Sequence, residues 1–110
     1  MSSAKPFLGV LVIFATTFMA ATAKVQTFKG EVSDAMCGAK HMMADKAECT
    51  RACVNKGSSY ALVVGDKVYN LHTTNKAALD QLNSLAGENA TVSGSANGDT
   101  IEVTKVAAAK

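Results

Sequence analysis

All three cysteines and one of the two histidines of this 110-residue chain fall between positions 37 and 53. Cys37-x3-His41 and Cys49-x3-Cys53 place four good metal ligands in a window of 17 residues, and a Cys3His set is a complete tetrahedral shell for zinc. If Cys49 and Cys53 share a helix, their Cβ atoms stand about 5–6 Å apart on one face. That separation exceeds the roughly 3.5–4.5 Å that an unstrained disulfide requires. Each helical thiol must therefore find another partner, and Cys37 is the only thiol left.

The chain ahead of this segment reads as an export signal. Lys5 precedes an apolar run from Phe7 to Ala20 that closes on Ala21-Thr22-Ala23, the pattern of a secretory signal peptide over residues 1–23, cleaved before Lys24. The run is too short to favour a membrane span, and no cysteine at the cleavage point marks a lipid anchor. The expectation is a periplasmic or secreted single domain over residues 24–110, with no stable membrane span after processing. A domain of 87 residues is near the size at which a covalent or metal staple adds useful stability. Without Lys5 it carries ten Lys and Arg against nine Asp and Glu, so charge names no partner. Scattered lysines, a single arginine at Arg51 and few aromatic rings argue against nucleic-acid binding.

Periodicity supplies the rest of the layout. Val25 to Ser33 alternates Phe28, Gly30 and Val32 against Lys29 and Glu31, as a half-buried strand does. Asp45-Lys46-Ala47-Glu48 forms a capping-box pattern and Gly57 a stop, predicting a helix over about Lys46–Lys56. Tyr60 to Val64 and Val68 to Leu71 flank Gly65-Asp66-Lys67 and predict a hairpin. Asn75 can cap a second helix whose apolar face is Ala78, Leu79, Leu82, Leu85 and Ala86, with Gly87 ending it. Ala90 to Ser95 and Thr100 to Val106 predict another hairpin around Asn97-Gly98-Asp99, followed by a frayed tail from Ala107 to Lys110.

The order is strand, cysteine-bearing helical insert, two strands, helix, two strands. It predicts a mainly β fold with short helices (α+β), a five-stranded OB-like barrel with a helix between strands three and four. Lys29-Gly30-Glu31-Val32, Val92-Ser93-Gly94-Ser95 and Ile101-Glu102-Val103 resemble segments of small bacterial exported OB-fold-like proteins, across most of residues 24–110. The insert, through Cys37, His41, Cys49, Cys53, Gly57 and Tyr60, is similar to a Cys/His pattern in some of these proteins. The resemblance implies the barrel and carries no activity with it, since one fold hosts many functions.

Three readings of the insert compete. In the first, Cys37, Cys49 and Cys53 supply thiolates and His41 an imidazole nitrogen to zinc or copper. Met36, Met42 and Met43 tilt this toward copper, because thioethers and thiolates suit Cu(I), although methionines more often fill gaps in a core. In the second, oxidation on export joins Cys37 to Cys49 or Cys53, stapling an interaction domain for an exported protein partner and leaving one thiol over. In the third, Cys49 in the first helical turn is an activated redox thiol, but CxxxC without a βαβ pattern is not a thioredoxin-like signature. Asp34 reads as a turn acceptor and His72 as an exposed strand end. No catalytic motif or glycine-rich phosphate loop is present, and Asn89-Ala90-Thr91 matters as a glycosylation sequon only in a eukaryotic secretory pathway.

Overall fold

The computed structural model describes residues 24–41 and 44–109. The expected signal peptide (residues 1–23), Met42, Met43 and Lys110 lie outside the described residues. The elements run β1 (Gln26–Asp34), α1 (Lys46–Asn55), β2 (Tyr60–Val64), β3 (Lys67–His72), α2 (Lys76–Ser84), β4 (Asn89–Asn97) and β5 (Thr100–Ala108). The strands hydrogen-bond in the closed order β1-β2-β3-β5-β4. None of the helices among the described residues is long and apolar enough to cross a membrane.

Closure depends on β1 serving two neighbours. Its first part, Gln26 to Glu31, pairs with β4, and its last part, Glu31 to Asp34, pairs with β2, so Glu31 faces Asn89 on one side and Val63 on the other. The strand passes so close to β2 that a Cβ on Gly30 would collide with the Val63 carbonyl, which is why glycine stands there. The β2–β3 and β4–β5 hairpins turn on Gly65 (φ +58) and Gly98 (φ +62). A short parallel ladder of Asn70–His72 against Thr100–Glu102 completes the ring. Every strand is thus paired along both sides over part of its length, leaving little edge to pair with another chain.

Inward residues Val32, Leu62, Leu71, Ala90, Val92, Ile101 and Val106 make the core, and α2 adds Ala78 and Leu82 to it. Asn75 caps α2 by accepting from the Ala77 and Ala78 amides. Complete burial of Leu82 contributes about 1.5–3 kcal/mol of transfer free energy. Leu79 does not belong to the buried face: it is 37 % exposed, one helical step from the Ala78–Leu82–Leu85 stripe that meets the core. The expected frayed tail also needs correction. Ala107 and Ala108 extend β5 because β4 begins at Asn89 and offers them Thr91 and Ala90 as partners.

The insert is fastened to the ring near the end of α2. Arg51 on α1 donates twice to the Asn83 carbonyl, at 3.1 and 3.0 Å. Val32 exchanges backbone hydrogen bonds with Gly87 and Glu88. Gly87 has φ +78, and a Cβ there would strike the backbone of Ala47, so its absence lets α1 approach.

Candidate metal centre

The first thiol is placed by the end of β1. The strand's burial stops alternating after Glu31: Val32, Ser33 and Asp34 are all fully buried, because the insert covers the face that would otherwise meet solvent. The Asp34 Oδ2 atom accepts from the amides of Met36 (3.1 Å) and Cys37 (3.0 Å), an Asx-type turn that agrees with its expected role. Ser33 donates to the Gly38 carbonyl, while Gly38 donates its amide to Asp34 and has φ +55. These bonds turn the chain and hold Cys37 over α1.

The other two thiols come from α1, as the four-residue spacing predicts. Asp45 caps the helix by accepting from the Ala47 and Glu48 amides, and Gly57 follows its end with φ +104. Cys49 is buried and Cys53 follows one turn later at intermediate exposure. Cys37 Sγ stands 3.5 Å from Cys49 Sγ and 3.6 Å from Cys53 Sγ, and all three sulfurs lie within 4.8 Å of one another.

These separations do not match a disulfide, whose sulfurs are about 2.0 Å apart. No disulfide joins any two of these cysteines, so neither the Cys37–Cys49 nor the Cys37–Cys53 staple is formed. The physical reason is the placing of Cys37 between its two neighbours, nearly equidistant from them and within hydrogen-bonding but not disulfide distance of both. Ligands about 2.3 Å from a tetrahedral zinc ion are separated by about 3.8 Å, close to the spacing observed. The cysteine triplet can therefore hold a metal ion.

His41 borders this group without belonging to the three-sulfur set. Its side chain is only 5 % exposed, with Nε2 3.0 Å from Glu31 Oε1. Its Nδ1 is buried and has no hydrogen-bond partner. The Cys49 thiol nevertheless lies near enough to influence the ring. Burial lowers the His41 pKa, but Cys49 and Glu31 outweigh it and the net shift is upward. Met36 is 70 % exposed, and the other two methionines proposed as soft ligands, Met42 and Met43, fall outside the described residues.

The electrostatics favour a cation. Hydrogen bonding with the Cys49 and Cys53 thiols, then desolvation and the nearby Asp34 carboxylate, push the Cys37 thiol up to about 12. For Cys53 the contact with Cys37 pulls downward, but burial and Asp34 win and the shift is upward. The Cys37 and Cys53 thiols accordingly hold their protons at neutral pH unless a positive ion replaces them. Asp34 is fully buried with no hydrogen-bond partner at Oδ1, and its carboxylate acts on both the Cys37 and the Cys53 thiols.

Sequence reasoning named Cys37, His41, Cys49 and Cys53 but missed Glu31 and understated Asp34. Glu31 alternates with Val32 and so reads as an outward strand residue, yet outward at that point means toward the insert. The triplet Val32-Ser33-Asp34, which lacks a clean period of two, is the signal that both faces are covered there. His72 matches its expected place as an exposed strand end and pairs with Glu102 at 2.7 Å. No family model matches the chain, and no curated protein or solved structure is significantly similar to it.

Proposed function

We propose that this protein is a small exported module that binds one transition-metal ion, with Cys37, Cys49 and Cys53 as thiolate ligands and His41 as the fourth. The observation that carries the reading is the convergence of three sulfurs, no two of them joined in a disulfide, beside a buried imidazole whose Nδ1 has no hydrogen-bond partner. A Cys3His donor set suits zinc, and its soft thiolates also suit Cu(I). Copper remains the alternative. The Cys37 and Cys53 side chains are partly exposed, which gives an ion a route to the site.

The ring order, with β1 shared between β2 and β4 and β3 parallel to β5, supports assignment as an OB-like barrel. Export itself rests on the pattern from Lys5 to Ala23. N-terminal sequencing after expression in an exporting host should return Lys24.

The same preparation tests the site. One equivalent of zinc or copper, lost on Cys49→Ser, is the expected result, with the thiols titrating only after the ion is removed. One titratable thiol, one disulfide and no metal would instead establish the stapled interaction domain.

A further inference from the structure

We propose that Glu31 is a positioning residue for the metal centre: it fixes the His41 imidazole so that Nδ1 is the ligating atom. The inference rests on the metal-binding reading and adds the ligating atom and the residue that selects it. A neutral imidazole has one nitrogen that donates and one that accepts, and only the unprotonated nitrogen can ligate. A carboxylate oxygen facing Nε2 at 3.0 Å takes a hydrogen bond from it, and this contact favours the neutral tautomer with its proton on Nε2. The lone pair then falls on Nδ1, the buried atom that no hydrogen bond satisfies.

The surroundings suit this role. His41 belongs to no helix or strand, and its backbone therefore does little to aim the ring. Glu31 is better anchored, on the part of β1 that meets both β2 and β4. The Lys46 ammonium donates to Glu31 Oε2 at 3.3 Å from the first residue of α1, the helix that also carries Cys49 and Cys53. The chain Lys46–Glu31–His41 thus couples the imidazole to the element that holds two of the thiols. A carboxylate behind a ligating histidine sets its tautomer, and losing such a partner typically costs 10–100-fold in metal affinity.

The test is long-range 1H–15N NMR of the zinc-loaded protein, purified from an exporting host, with labelled histidine. The expected His41 spectrum has a proton on Nε2 and metal-bound Nδ1. Glu31→Gln should still take up one zinc, with affinity lowered about 10–100-fold and the tautomer preference weakened, while Glu31→Asp recovers part of both. Zinc bound through Nε2, or bound with the imidazole free, overturns the inference and leaves thiolate binding standing. Failure of the wild-type protein to take up zinc overturns the metal reading, and this inference with it.

Discussion

The amide of Cys37 donates to Oδ2 of Asp34 across 3.0 Å, so the residue that ends β1 also sets where the first thiol stands. Asp34 receives the Met36 amide as well. Asp34→Ala should leave both amides without this acceptor and destabilise the protein by about 1–3 kcal/mol, measured by urea unfolding. It should also weaken metal binding, because the turn no longer holds Cys37 over α1. Unchanged stability together with unchanged affinity would remove Asp34 from the account.

The reduced, metal-free protein should lose stability in alkali. An unperturbed cysteine titrates near 9.0, and the folded Cys37 near 12, so the folded state holds its proton more tightly than the unfolded one. The contribution is present below pH 9 and disappears as pH rises toward 12. Thermal midpoints recorded over that range under reducing conditions should fall, and Cys37→Ser should flatten the slope. The zinc-loaded protein should behave oppositely toward acid, because protons compete with the ion for the thiolates.

Oxidation of the metal-free protein by a diazene thiol oxidant should form one disulfide that includes Cys37 and leave one thiol. Cys37 lies 3.5 and 3.6 Å from its two neighbours, whereas Cys49 and Cys53 are fixed one turn apart on a single helix. Peptide mapping by mass spectrometry gives the pairing. A dominant Cys49–Cys53 bond would show that α1 unwinds before the sulfurs react. Prior loading with zinc should suppress the reaction.

Core packing and the metal centre should separate under mutation. Ile101 is fully buried in the ring, and Ile101→Ala should cost about 2–5 kcal/mol in the denaturant midpoint analysis. Metal stoichiometry under native conditions should stay at one. A variant that keeps its stability would mean that the core does not pack around this side chain.

Much of the ring was legible because short-range chemistry decides it. Glycine at 65 and 98 takes up the positive φ of each hairpin turn, and Asn75 and Asp45 cap helices that begin at the next residue. The shared spacing of Cys49 and Cys53 likewise placed both on α1. Less legible were effects that arise only when distant segments meet. Leu79 continues an apolar stripe in sequence but sits at its edge once α2 lies on the core. Ala107 and Ala108 resemble a tail until Thr91 and Ala90 are found alongside them. Glu31 and His41 are ten residues apart on a strand and an irregular segment, and no local pattern joins them.

Cobalt(II) titration of the reduced protein tests the central claim most directly, since cobalt reports thiolate ligation and coordination geometry in one spectrum. The account predicts thiolate-to-cobalt charge-transfer absorption that saturates at one equivalent, tetrahedral ligand-field bands of Cys3His type, and displacement by zinc. Absence of that absorption, with the three thiols fully reduced, would contradict it.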